Sequence, residues 1–166
     1  EFFGRHGIET FMQPVLPGRD NLVAVLPGAD RSRKIVLEAH MDVVSTAGMT
    51  IPPFDPVIDG GRMYGRGSCD VKGGMAAMLV AIDRLRSAGR PRRVNVVFSA
   101  TVNEEFGFSG AKAIARLWSP QADGLSAADR QARDLCGALP VAAVVAEPTE
   151  LDIVTQHKGA VRWRAR

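Results

Sequence analysis

The chain has 166 residues, 46% of them apolar and 23% charged, which is typical of one ordinary globular domain and excludes disordered and collagen-like proteins. The longest apolar run, Met75 to Ile82, is far shorter than the ~20 residues that a membrane helix needs. The 21 basic and 18 acidic residues give a net charge of +3 and are scattered along the sequence, so we expect neither a nucleic-acid nor a membrane partner.

The first predicted elements are the end of a helix and two strands. Residues 1–7 are typical of a helix tail that glycines terminate. Two apolar runs follow, at 8–16 and 22–26, and the turn residues 17–20 between them predict a hairpin-like edge.

A central strand, a long loop and a helix are predicted next. Lys34 to Ala39 is a compact β-branched run that suits a central strand and leads directly to His40. The loop from Ser45 to Asp70 is rich in proline and glycine, and loops of this length are usually functional or disordered. From Gly73 to Ala88, apolar residues recur at three- and four-residue spacing, which predicts a helix packed on a sheet.

Two more strands and two more helices complete the predicted order. Val94 to Thr101 and Val141 to Ala146 are both expected to be buried strands. Between them we expect one helix from Ser109 to Leu117 and another that starts at the capping box of Ser126 and reaches Leu135. Because strands and helices alternate, the predicted fold class is α/β with a largely parallel sheet.

Several side chains suited to metal binding or acid–base chemistry follow the predicted strands. They are His40 and Asp42 after one strand, Glu104 and Glu105 after the next, Glu147 after a third, and Asp70 in the loop before the first long helix. In sheets of this class, ligands bind outside the carboxyl ends of the strands. We therefore expect these side chains to converge on one functional site.

His40 and Asp42 lie two residues apart, so they share one face if the backbone is extended. This spacing suits a metal-ligating imidazole that a carboxylate orients, although such a pair alone is more often a hydrogen-bonded surface pair. Asp70 is flanked by glycines on both sides and could bridge two cations. A helix-capping role for Asp70 explains the local sequence equally well.

Glu104 and Glu105 are adjacent acids after an apolar strand, where two buried and unpaired carboxylates would repel each other. Divalent metal ions remove this repulsion, because one glutamate can bind metal while the other takes a proton from a bound water. The alternative is that both face solvent at a helix N-terminus. Glu147 precedes a proline and could be a terminal ligand of a second ion, whereas His157 suits a strand junction better than a metal.

Other chemistries fit the sequence less well. The segment from Gly65 to Asp70 lacks the third glycine of a dinucleotide fingerprint. A P-loop is also excluded, because its lysine follows a glycine, whereas Lys72 precedes one. Cys69 is a poor candidate nucleophile, since the negative charge of the adjacent aspartate disfavours a thiolate. With only Cys69 and Cys136 in the chain, we expect reduced cysteines and a cytoplasmic location.

Taken together, four motifs of the sequence resemble those of the M20 metallopeptidases, a family that includes deacetylases, desuccinylases, aminoacylases and carboxypeptidases. The motifs are His40-Met-Asp42, Gly65-Arg-Gly-Ser-Cys-Asp70-Val-Lys-Gly-Gly74, Asn103-Glu104-Glu105-Phe-Gly107 and Glu147-Pro-Thr149. They occur in the order of the family, and the match covers nearly the whole chain. The resemblance implies a zinc-exopeptidase-like fold of three layers, with helices on both faces of a mixed sheet.

The resemblance also implies roles for the candidate residues and a cofactor of two Zn²⁺ ions, with Co²⁺ as a substitute. His40 resembles a ligand of the first zinc, Asp42 its orienting carboxylate and Asp70 the bridging ligand. Glu104 resembles the general base and Glu105 a ligand of one zinc, with Glu147 as a ligand of the other. The implied reaction is attack of a metal-bound water on an amide bond of an N-acyl amino acid or a short peptide. The alternatives are a non-catalytic metal-binding homologue and a metal-free α/β binding domain.

Members of the family also have parts that this sequence lacks. A second histidine ligand lies near their C-terminus, and their inserted lid domain supplies another histidine and mediates homodimerisation. We expect residues 1–158 to be an incomplete catalytic domain and 159–166 to be the start of a truncated lid. The chain begins without a methionine and stops in a predicted strand, so we expect a fragment that is inactive alone. The choice among peptidase, deacetylase and desuccinylase stays open.

Overall fold

The computed structural model describes residues 1–89, 92–119 and 124–156. Its strands, in chain order, are β1 Glu9–Leu16, β2 Arg19–Leu26, β3 Asp30–His40, β4 Val57–Asp59, β5 Arg62–Tyr64, β6 Val94–Thr101 and β7 Ala142–Val145. The helices are α1 Phe2–Arg5, α2 Gly74–Ser87, α3 Glu104–Gly107, α4 Ser109–Arg116 and α5 Ala127–Cys136.

Five of the strands form one mixed sheet in the order β1-β2-β6-β3-β7, and β4 pairs with β5 in a separate hairpin. Strand β3 is parallel to both of its neighbours, β6 and β7, whereas β1 and β2 are antiparallel additions at one side. His40, the last residue of β3, lies opposite Thr101, the last residue of β6. The central parallel strands therefore end at the same edge of the sheet, which confirms the prediction that the central strands are parallel.

Helices pack on both faces of this sheet, as expected for the α/β class. On one face, buried side chains of α1 and α2 contact the sheet: Phe3, Met78 and Ile82. On the other face, α4 and α5 contribute Ile114, Ala132 and Cys136. The side chains of β3 alternate between the two layers, because successive residues of a strand point to opposite faces.

Most of the predicted elements are confirmed, with small shifts at their ends. The hairpin of β1 and β2 turns at Gly18, whose φ of +70° is a conformation that glycine adopts without steric cost. The Ser126 hydroxyl caps α5 by accepting a hydrogen bond of 3.0 Å from the Asp129 backbone N–H, as the capping box predicts. Within the region predicted as one long loop, residues 57–64 form the β4–β5 hairpin.

The prediction that the last strand is buried was wrong. All four residues of β7 are exposed, including Val144 at 54% and Val145 at 55%. The reason is topological, since among the described residues β7 is the outermost strand of the sheet and β3 is its single partner. An apolar run shows that a strand suits burial, but it does not show which elements cover that strand.

Two of the sequence predictions fall outside the described residues, namely the position of His157 and the start of a lid at 159–166. None of the helices in the described ranges combines the length and the apolar character that crossing a membrane requires.

Candidate metal centre

The candidate site lies where β3 and β6 end. His40 is the last residue of β3 and is only 3% exposed, and Asp42 follows it by two residues. Glu104 and Glu105 form the first turn of α3, directly beyond β6. Asp70 belongs to an irregular turn over Ser68–Gly73 that leads into α2. The site is therefore assembled from three separate segments of the chain.

Three of the predicted ligands come together in space. Ligand atoms of His40, Asp70 and Glu105 all lie within 4.8 Å of one another. Within this cluster, His40 Nε2 lies 2.9 Å from Asp70 Oδ1. One imidazole nitrogen and two carboxylates at this spacing form a donor set that Zn²⁺ prefers in proteins, so the residues fit a zinc ion.

The orientation of the imidazole also fits a metal ligand. His40 Nδ1 lies 2.9 Å from the backbone carbonyl oxygen of Asp42, and because that oxygen can only accept, Nδ1 donates. Nε2 is then left facing the Asp70 carboxylate, a contact that is favourable only with a proton or a cation at this position. Such a second hydrogen bond at the far nitrogen is the usual way in which a ligating imidazole is held.

The carboxylate of Asp42 holds the start of α3. Its Oδ1 accepts a hydrogen bond from the backbone N–H of Glu104 at 3.0 Å, and its Oδ2 accepts one from the N–H of Glu105 at 3.1 Å. The same carboxylate lies 3.8 Å from Nδ1 of His40, so the carbonyl rather than the carboxylate makes the direct contact with the imidazole. Asp42 therefore connects the imidazole to both glutamates.

Glu104 and Glu147 lie beside the cluster of three. Burial raises the pKa of Glu104, and the carboxylates of Glu105 and Asp70 raise it further while His40 opposes them. Burial also raises the pKa of Glu147, as do the nearby carboxylates of Asp70 and Glu104. Glu147 thus lies within electrostatic reach of the site although it is not one of the three clustered ligands.

The pKa of His40 is subject to opposing influences. Burial alone lowers its pKa, but the hydrogen bonds with Asp70 and Asp42 and the charge of Glu104 outweigh burial, so the pKa of His40 is raised. An excess of carboxylates over cationic groups around one imidazole is an arrangement that bound divalent cations stabilise.

Sequence reasoning missed Asn21, which supports this site, and its buried neighbour Gln13. Both are fully buried polar side chains on the outer strands β1 and β2. Asn21 accepts a hydrogen bond from the backbone N–H of Val102, just before the two glutamates. Neither residue stands out in the sequence, because β1 also contains Glu9 and Thr10, and Asn21 directly follows Arg19 and Asp20 at the polar start of β2.

Comparison with known proteins places this site in a family. The sequence model of peptidase family M20/M25/M40 matches residues 36–158, well over half of the chain. The chain belongs to this family. Peptidases of the M20 family depend on metal ions, so a metal cofactor is implied for this chain.

Individual M20 relatives match most of the length of this chain. A probable succinyl-diaminopimelate desuccinylase of Staphylococcus aureus is 29% identical over 165 residues, which are 97% of this chain and 36% of that protein. A peptidase M20 domain-containing protein of Schizosaccharomyces pombe is 33% identical over 146 residues, 87% of this chain and 30% of the relative. The solved structure of aminopeptidase PepT from Bacillus cereus has a TM-score of 0.56 and 33% identity, and the match covers 69% of this chain and 32% of the aminopeptidase. The chain spans about a third of the length of the curated relatives it matches.

Proposed function

We propose that residues 1–158 belong to the catalytic domain of a dinuclear zinc hydrolase that cleaves an amide bond in an N-acyl amino acid or a short peptide. The observation that carries this proposal is the convergence of His40, Asp70 and Glu105 at the carboxyl ends of the parallel strands. Family membership supports a hydrolytic reaction, because the named relatives include a desuccinylase and a peptidase.

In this proposal, His40, Asp70, Glu105 and Glu147 would hold the metal ions, and Asp70 would be the ligand that the two ions share. The carboxylate of Asp70 suits a bridge because it is half-exposed and contacts Nε2 of His40 through one oxygen, which leaves the other oxygen available. When bound, the ions supply Lewis-acid polarisation of the amide carbonyl and a water of lowered pKa. Co²⁺ accepts similar donors and is a suitable substitute.

Glu104 is the proposed general base. It is half-buried beside the cluster, and burial together with neighbouring carboxylates raises its pKa toward the range in which a carboxylate can take and return a proton. It takes a proton from the attacking water and passes it to the leaving amine. Asp42 keeps Glu104 next to Glu105 through the two backbone hydrogen bonds that start α3.

The substrate is proposed only as a class. A desuccinyl reaction and an aminopeptidase reaction both hydrolyse an amide bond, which supports an acylated amino acid or a peptide. From the resemblance alone, we also propose that a lid domain begins near residue 159 and that the whole protein forms a homodimer through it.

The proposal is tested by zinc binding. The chain should bind Zn²⁺ in calorimetric titration, and His40→Ala should remove the binding at this centre. His6→Ala is a matched control, since His6 lies in the turn after α1 and pairs with Asp83 rather than with the cluster. Equal zinc binding by His40→Ala and His6→Ala would contradict the proposed centre.

A further inference from the structure

The segment that carries Glu104 and Glu105 is held at both of its ends by one buried side chain. Oδ1 of Asn21 accepts a hydrogen bond of 3.0 Å from the backbone N–H of Val102, before the glutamates. Nδ2 of the same side chain donates a hydrogen bond of 2.9 Å to the backbone carbonyl of Gly110, after them. Asn21 is fully buried on β2 and closes residues 102–110 into a loop.

The close approach of the two loop ends depends on Gly110. A Cβ atom at this position would lie 2.6 Å from Oδ1 of Asn21 and would overlap the backbone of Val102. The backbone N–H of Gly110 also donates to the carbonyl of Val102 at 3.0 Å. Only glycine therefore permits the contact that lets Asn21 bind both ends.

The loop between these ends adopts conformations that its residues do not favour by themselves. Asn103 and Phe108 have φ values of +62° and +60°, in the left-handed region, which costs free energy for residues other than glycine. Such conformations persist only where surrounding contacts hold them. Those contacts include the Asn21 hydrogen bonds, the Asp42 carboxylate and the hydrogen bond from Asn103 Nδ2 to Ser109 Oγ.

A neighbouring buried amide provides a natural comparison. Gln13 lies opposite Asn21 in the β1–β2 register, and its Oε1 accepts a hydrogen bond of 3.0 Å from Asn21. Its Nε2 donates to the Ala113 carbonyl and to the Asp129 carboxylate, which belong to α4 and α5. Gln13 therefore shares the burial and the network of Asn21 but makes no direct hydrogen bond to residues 102–110.

We propose that Asn21 is a positioning residue for the metal centre: it fixes the loop that presents Glu105 to the ligand cluster and Glu104 to the substrate. This inference rests on the proposed function for its catalytic meaning, but the hydrogen bonds that carry it do not involve a metal. Removal of a group that hydrogen-bonds directly to a metal ligand typically lowers metal affinity by about 10–100-fold. Because Asn21 acts through the loop backbone, we expect its removal to have an effect at the lower end of this range.

The test compares Asn21→Ala with Gln13→Ala in three measurements. Unfolding in urea reports the stability that each variant loses. Chelator competition reports Zn²⁺ affinity, and the visible absorption bands of bound Co²⁺ report the geometry of the centre. Hydrogen exchange of the Glu104 and Glu105 amides reports how firmly the loop is held when no metal is present.

We expect both variants to lose stability, but only Asn21→Ala should weaken Zn²⁺ affinity by about 10-fold or more, alter the Co²⁺ bands and speed exchange at the two glutamate amides. If the two variants change affinity and exchange equally, Asn21 has only a structural role and the inference is overturned. Should Asn21→Ala fail to fold, the milder Asn21→Ser is compared in the same way. A wild-type chain that binds no metal would refute the proposed function, whereas the exchange measurement would still decide the role of Asn21.

Discussion

Replacement of Asp42 by asparagine tests how the site is built. The carboxylate of Asp42 accepts one hydrogen bond through each oxygen, from the backbone N–H groups of Glu104 and Glu105. Asparagine keeps one acceptor oxygen and turns an NH₂ group toward the second N–H, so one hydrogen bond is lost. The Asp42 side chain is 14% exposed, so water replaces the lost acceptor poorly.

The magnitude follows from the kind of hydrogen bond. A hydrogen bond to a charged group contributes about 1.5–3 kcal/mol, so Asp42→Asn should lower the free energy of unfolding by about 2 kcal/mol. Because Glu105 moves with the start of α3, Zn²⁺ affinity should also fall by about 10-fold or more. Urea unfolding and chelator competition measure the two effects separately.

Asp30→Asn is the matched control. Asp30 lies at the other end of β3, where its carboxylate also accepts hydrogen bonds, from the backbone N–H and the hydroxyl of Ser32. This variant should leave Zn²⁺ affinity unchanged. If Asp42→Asn matches Asp30→Asn in both stability and affinity, the reasoning that the carboxylate organises the centre is refuted.

Three further predictions concern the base, the metal count and a buried thiol. In the whole protein, Glu104→Gln should abolish amide hydrolysis while zinc content measured by elemental analysis stays nearly unchanged, and retained turnover would remove the role of Glu104 as base. The present chain should bind one zinc ion tightly and a second one weakly, with little or no turnover, because the C-terminal histidine that the family resemblance implies is not in the sequence; two equivalent tight sites in calorimetry would contradict this. Burial raises the pKa of Cys136 from 9.0 to about 11, so stability from the neutral thiol is fully present below pH 9 and is lost as the pH rises to about 11, because the unfolded thiol ionises first. Relative to Cys136→Ala, the wild type should lose about 3 kcal/mol of unfolding free energy over this range in urea titrations, and parallel pH profiles would be the contrary result.

In the elements that were predicted correctly, the apolar positions of the sequence match the side chains that the element buries. Val94 to Thr101 is a mostly apolar run that contains several β-branched residues, and it forms β6 with the predicted bounds. The spacing of apolar residues from Met75 onward matches α2, whose Met78 and Ile82 are buried against the sheet. These patterns are local, because a strand or helix that packs on a core shows its period in its own sequence.

The features that could not be predicted depend on contacts between distant segments. The exposure of β7 follows from its position at the edge of the sheet that the described residues form, which the apolar run from 141 to 146 does not reveal. The short helix α3 forms where Asp42 accepts its first two N–H groups, 62 and 63 residues away in sequence. The Asn21 contacts with Val102 and Gly110 are likewise long-range and leave no local pattern.

The candidate ligands could be predicted because metal-type side chains followed several strands of one parallel sheet. The structure brings His40, Asp70 and Glu105 within 4.8 Å, although the sequence alone equally allowed Asp70 to be a helix cap. The division of labour between Glu104 and Glu105 stays a prediction, as does the role of Glu147.

The most direct test is an anomalous difference map from zinc-soaked crystals, recorded on both sides of the zinc absorption edge. The account predicts a peak between the His40 imidazole and the carboxylates of Asp70 and Glu105. A map with zinc only at other positions, or with no peak beside Nε2 of His40, would contradict the proposed metal centre.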